Sequence, residues 1–187
     1  MRHLPSAMPA VPAIDTERLS LRGHTLDDFE AVAALWSDPE VTRYIGGRPQ
    51  TREEVWTRLL RYIGHWSLLG FGYWVVRERG SARFIGEVGL AEYRREIDPS
   101  IEGAPEAGWV MAAAARGKGY ATEAVRAALA WGESAFGPAQ RIVCIIDPGN
   151  LASIRVAEKV GFALVGEASY RHEPSLLFER RGLSPAA

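Results

Sequence analysis

The run Arg116-Gly117-Lys118-Gly119-Tyr120-Ala121-Thr122-Glu123-Ala124 follows a strand-like stretch, Glu106 to Met111, and opens a helix. In that helix Ala121, Ala124, Val125, Ala128, Leu129, Ala135 and Phe136 recur on one face at helical spacing. Strand, glycine turn and helix in this order make an anion site. Glycines let the backbone approach a phosphate, and the free N–H groups of the first helical turn point at it. Arg116 and Lys118 add positive charge. A pyrophosphate-bearing ligand is the natural guest. Two common phosphate motifs fail here. Ala112 stands where a P-loop needs its first glycine, and Gly119 stands where it needs Ser or Thr. Thr122 replaces the third glycine of a dinucleotide fingerprint. Taken alone, the segment could also be a turn that merely caps a helix.

Downstream, Arg141 to Ile146 reads as a buried strand, and a helix from about Ala152 to Lys159 ends at Gly161. Strand-like runs follow at Phe162 to Tyr170 and Leu176 to Arg180. Upstream, Arg18 to Arg22 alternates as a half-exposed strand. Thr25 with Asp28 opens a helix through Trp36, which Asp38-Pro39 stops. Thr51 with Glu54 opens a second, with Val55, Trp56, Leu59, Leu60 and Ile63 on its apolar face, ending at Gly70. Gly72 to Glu78 and Arg83 to Leu90 form a hairpin signal across Arg79-Gly80-Ser81. Residues 92 to 104 read as a loop. The order predicts an α/β (α+β) fold with a mixed sheet. Residues 1–13 read as an Ala/Pro tail, 14–181 as one domain and 182–187 as a second tail.

The 187 residues are 47% hydrophobic and 24% charged, enough apolar content for a packed core. A net charge of −1 argues against nucleic acid or an anionic membrane as main partner. No stretch approaches the roughly 20 apolar residues of a membrane helix. The single cysteine, Cys144, lies in an apolar run and reads as a buried structural thiol. One cysteine makes no internal disulfide, so a reducing, cytoplasmic setting is expected. No His, Cys, Asp and Glu set has metal-ligand spacing, so no metal is expected.

The glycine run closely resembles the cofactor motif of the GNAT superfamily of N-acetyltransferases. Asn150, Ser153, Arg155, Val156, Glu158, Lys159, Gly161 and Phe162 resemble its next motif. Glu106-Ala107-Gly108-Trp109-Val110 resembles its central strand. Thr16-Glu17-Arg18-Leu19, Leu21-Arg22 and Ile85-Gly86 also fit. The flavour is similar to the branch of ribosomal-protein N-terminal acetyltransferases of the RimJ/RimL type. The resemblance covers nearly all of residues 14 to 181.

This resemblance implies a mostly antiparallel sheet flanked by helices, splayed beside its central strand. It implies acetyl-CoA as co-substrate. Backbone groups of Val110 and Met111 would pair with the pantetheine arm and polarise the thioester carbonyl. The amides of Gly117, Lys118, Gly119, Tyr120 and Ala121 would hold the pyrophosphate, with Arg116 and Thr122 also among the cofactor-binding residues. Asn150 would bond the pantetheine or order the turn after it. Many members carry a tyrosine acid where this chain has Ala157, so Ser153 is the expected substitute. Ala114 replaces the usual Gln or Arg before the first glycine.

The attacking amine must be neutral. An α-amine, with a pKa of about 8, is partly so at neutral pH, whereas a lysine near 10.4 is not. Glu106 is the first candidate base and Glu87, on a neighbouring strand, the second. Trp36, Tyr44 and Trp66 lie on or beside the first two helices and are candidates for an acceptor pocket. His24 reads as structural or solvent-exposed and His65 as packing, and His172 could reach the substrate groove. Other tryptophans read as core. The expected acceptor is a small-molecule or peptide amine, attacked directly in a ternary complex by a monomer or homodimer. A non-catalytic acyl-CoA sensor is the alternative, favoured by Ala157 alone.

Overall fold

The computed structural model describes residues 10–137 and 139–181. Along the chain these form β1 (Ile14–Asp15), β2 (Leu19–Arg22), α1 (Phe29–Ser37), α2 (Pro39–Thr42), α3 (Arg52–Leu69), β3 (Tyr73–Glu78) and β4 (Phe84–Ala91). Then come β5 (Ile97–Asp98), β6 (Glu106–Met111), α4 (Tyr120–Phe136), β7 (Arg141–Ile146), α5 (Leu151–Lys159), β8 (Ala163–Tyr170) and β9 (Glu173–Arg181). The expected tails at 1–9 and 182–187 lie outside the described residues. Residues 10–13 depart from the tail reading: Val11 packs on the core, and the Pro12 carbonyl accepts the Trp74 indole N–H at 2.8 Å.

One mixed sheet runs in the order β1-β2-β3-β4-β6-β7-β9-β8-β5. Every neighbouring pair is antiparallel except β6 with β7. Strand β4 follows β6 from Gly86↔Met111 to Ala91↔Glu106. Strand β7 follows β9 from end to end. Between β6 and β7 the register holds only at Glu106↔Val143. The sheet therefore opens beyond that point, and the β6 edge from Gly108 to Met111 is left without a strand partner.

Helices α1, α3, α4 and α5 form where the sequence signals them, whereas α2, with Pro39 in its first turn and Asp38 as its cap, lies where the sequence reads only a stop. In α3, Thr51 N–H donates to Glu54 Oε2 at 2.8 Å, and Glu54 N–H donates to Thr51 Oγ1 at 3.2 Å. Two otherwise orphaned donors are thereby satisfied. Its buried stripe is Val55, Leu59, Tyr62 and Trp66. Trp56 and Leu60, expected on that face, are 41% and 48% exposed. Burying the larger rings of Tyr62 and Trp66 turns the helix away from them. Helix α4 lays Ala124, Val125, Ala128 and Leu129 on strands that supply Leu19, Trp74, Val88 and Leu90. A second cluster joins Val32 and Trp36 of α1 with Val55 of α3 and Val110 of β6. The two clusters clamp β6 from both faces, which fixes the strand at the opening.

Candidate active site

The glycine turn is held by residues far away in sequence. Gly117 and Gly119 have φ of +73° and +78°, a region costly for any residue with a Cβ. Glu123, in the first turn of α4, accepts from Thr16 Oγ1 at 2.6 Å, Arg18 N at 2.9 Å and Arg18 Nε at 2.7 Å. Burial pushes the Glu123 carboxyl up, but these bonds outweigh it and hold it below the usual carboxylate range. Arg18 also donates to the Lys118 carbonyl at 2.9 Å and covers the Tyr120 ring. The start of β2 thus staples the turn in place.

Among the described residues, the first amide of this region to bond a helical carbonyl is that of Glu123, to Gly119 O. The amides from Gly117 to Thr122 have no backbone acceptor there, as a helix start dictates. They edge a groove of about 440 Å³. Arg43, Arg116, Arg155 and Lys159 line it too, and none has a carboxylate partner among the described residues. Lys118 does not line it: its side chain is exposed, and it serves through its carbonyl. Val110, Met111, Tyr120, Ala121 and Thr122 are in the wall.

A second cavity, of about 590 Å³, is lined by β6 from Glu106 to Val110 and by the end of β7 from Cys144 to Ile146, across the opening between these strands. Tyr44, Ile45, Trp109, Val110, Asn150 and Ser153 line both, so the two spaces meet at these residues. Trp109, expected in the core, is half-buried and stands at that junction. Asn150 caps α5, its Oδ1 accepting the Ser153 N–H at 3.1 Å. Of its two expected roles, this is the ordering one. Ala157 is fully buried, which leaves Ser153 as the hydroxyl of α5 at the junction.

Glu106 and Glu87 differ sharply. Glu106 faces the second cavity, but both its oxygens are on Arg95, at 2.5 and 2.7 Å. Glu87 lines neither cavity. It is fully buried behind the wall, accepting from Trp36 Nε1 at 2.8 Å and lying 2.7 Å from His24 Nε2. Expected as a base, it instead positions Trp36, because a buried carboxylate must find donors. Asp147, which the sequence reading missed, lines the cavity beside Asn150. Its Oδ1 accepts the Gly149 N–H at 2.7 Å, and no partner of Oδ2 occurs among the described residues. Its signal was its place: ligands gather at the carboxyl ends of strands in open α/β sheets, and Asp147 directly follows β7.

The aromatic candidates separate as well. Trp36 walls the second cavity, with the Arg58 guanidinium 3.6 Å above its ring. Tyr44 stands at the junction. Trp66 lines neither cavity, which corrects its assignment to the acceptor pocket. It packs edge-on against Trp74 and Trp131 at 4.8 and 5.3 Å, and its indole N–H donates to Tyr73 O. Tyr62 and Tyr73, stacked at 4.5 Å, form the floor in its place. The Tyr73 hydroxyl fills the space where a Cβ on Gly108 would sit, so that strand position needs glycine. His65 lies between the Arg61 and Glu92 carbonyls, and His172 does not reach the cavity, whereas its neighbour Arg171 does. Cys144 also borders the cavity, but burial, then the Glu106 charge, push its thiol far up. A thiol so disfavoured as thiolate is a poor nucleophile.

A family model described as an acetyltransferase (GNAT) domain matches residues 18–163. YkkB of Bacillus subtilis is 32% identical over 180 residues, covering 93% of this chain and 98% of that protein. N-acetyltransferase p20 of Bacillus licheniformis is 30% identical, covering 81% and 82%. A solved structure described as a GnaT-family acetyltransferase from Bordetella pertussis superposes with a TM-score of 0.79 at 31% identity, covering 90% of this chain and 99% of that one.

Proposed function

Because the chain belongs to the GNAT acetyltransferase family, we propose that it moves the acetyl group of acetyl-CoA onto a primary amine. One observation carries this reading: two cavities of different character meet at the split between β6 and β7. The groove with open amides and four unpaired cations suits the diphosphate of coenzyme A. Gly117 and Gly119 give its backbone the required shape, and Arg116 adds charge. The unpaired edge of β6 at Val110 and Met111 offers peptide groups to the pantetheine arm. Bound acetyl-CoA supplies the activated acyl group.

The chain's own residues then have separable tasks. The Ser153 hydroxyl can give a hydrogen bond to the departing sulfur, which needs modest help because a thiol pKa is only about 8.5. Its place in the first turn of α5 also favours negative charge. Asp147, with its free oxygen, takes the proton of the amine. Glu106, expected for that task, is committed to Arg95 and holds it in the cavity wall. Tyr44 excludes water from the meeting point, and Trp36 walls the chamber behind it. A sensor that bound only the acyl-CoA would have no use for the second chamber. Thiol release from acetyl-CoA, followed against a panel of amines, tests the reading. Release that requires both acetyl-CoA and an amine supports it; release indifferent to every amine refutes it.

A further inference from the structure

The second cavity carries an imbalance of charge that acetyl transfer alone does not use. Helix α3 presents Arg58, Arg61 and His65 to it on one stripe, and the tip of the β8–β9 hairpin adds Arg171. Arg58, Arg61 and Arg171 make no ion pair among the described residues. The other cations at this site are matched: Arg95 by Glu106, and Arg48 at the mouth by Glu54.

Arg58 is the most constrained of the three. Half-buried, it lies flat on Trp36, donates from Nε to Gln50 Oε1 and from Nη1 to Tyr62 Oη, both at 3.1 Å. Its Nη2 has no acceptor among the described residues. Arg61 rests on the Tyr62 and Tyr93 rings at 5.8 and 5.2 Å. Arg171 reaches over Tyr170 from a backbone at φ +53°, which an arginine rarely adopts. The three also line a side chamber of about 390 Å³ that adjoins the main one. The acids that line the same cavity, Glu92, Glu106 and Asp147, do not pair with these three. Glu92 is drawn to exposed Arg94, and Asp147 lines the main cavity but not the side chamber, near Asn150 of the coenzyme groove.

We propose that the acceptor is a small amine that also carries a carboxylate, with its nitrogen at Asp147 and its carboxylate held by Arg58, Arg61 and Arg171. The proposal rests on the acetyl-transfer reading and narrows its substrate class. Three guanidiniums in an aromatic-walled chamber repel a polyamine and reward an anion. A planar guanidinium fixed on an indole, with Nη2 lacking an acceptor among the described residues, is preorganised to donate to a carboxylate.

The test compares thiol release from acetyl-CoA for four probes on the full chain: an α-amino acid, its carboxamide, O-phosphoethanolamine and spermidine. The amino acid should exceed its carboxamide in kcat/KM by about tenfold or more, the size expected of a charge-assisted pair. Preference for O-phosphoethanolamine over the amino acid would overturn the carboxylate assignment. Arg61→Gln and Arg171→Gln replace side chains that are themselves exposed and should each shrink the ratio of acid to amide. Arg58→Gln should shrink it most, provided thermal unfolding shows the variant folded. An unchanged ratio in all three, or spermidine turned over as well as the amino acid, overturns the inference and leaves acetyl transfer standing. No turnover of any probe, with coenzyme A bound in calorimetry, overturns the acetyl-transfer reading itself and the inference with it.

Discussion

Removing the Glu87 carboxylate separates a supporting residue from a catalytic one. In Glu87→Ala two buried ring groups, Trp36 Nε1 and His24 Nε2, lose their partner together. His24 Nδ1 already has none, so the site holds no spare acceptor among the described residues. A buried polar group left unpaired costs about 1–3 kcal/mol. Two of them give roughly 2–6 kcal/mol in total. In a chain of this length each kcal/mol lowers Tm by about 2–4 °C, so the expected fall is roughly 4–24 °C. Trp36 should then loosen under Arg58, and KM for the amine should rise more than kcat falls. Differential scanning fluorimetry and steady-state thiol release measure the two effects. Glu87→Gln keeps the volume and one acceptor oxygen and should lose less of both. Unaltered unfolding with a kcat loss of about 10²–10⁴, the size of general-base catalysis, would refute the reasoning and restore Glu87 as the base.

Asp147→Asn should lower kcat by about 10²–10⁴ with little change in coenzyme affinity, read by thiol release and calorimetry; wild-type turnover would clear Asp147. Gly119→Ala should not clash, since its Cβ would meet only Arg18 Nη2 at 3.5 Å. It should instead cost about 1–2 kcal/mol of left-handed strain, seen as lower Tm or as weaker coenzyme binding; the absence of both changes would refute the turn. Cys144 should resist iodoacetamide in the native protein at pH 8, because burial holds its thiol protonated; labelling as fast as in urea would contradict its environment.

Local chemistry was legible in the sequence where one residue type answers one backbone demand. The left-handed Gly117 and Gly119, the Thr51–Glu54 cap and the Gly70 stop are cases of this kind. The order of strands around α4 followed from the same punctuation. Partners across the fold were not legible. Arg95 with Glu106, His24 with Glu87, and Thr16 and Arg18 with Glu123 meet only once sheet register is set. Periodicity tells which face a side chain occupies, not what stands opposite it. Trp36 and Trp66 illustrate this: both are buried helical tryptophans, yet one walls a cavity and the other fills the core. The Arg58, Arg61 and His65 stripe was readable as helical spacing. Its meaning depended on the cavity it faces. Strand β5, two residues long, offers too little pattern to stand out from the loop read there.

Calorimetric titration of the full chain with coenzyme A tests most directly whether the groove beside the glycine turn is a coenzyme site. Binding between about 1 µM and 1 mM, weakened by Arg116→Ala and by added salt, is the expected result. No heat of association at millimolar coenzyme A would contradict it.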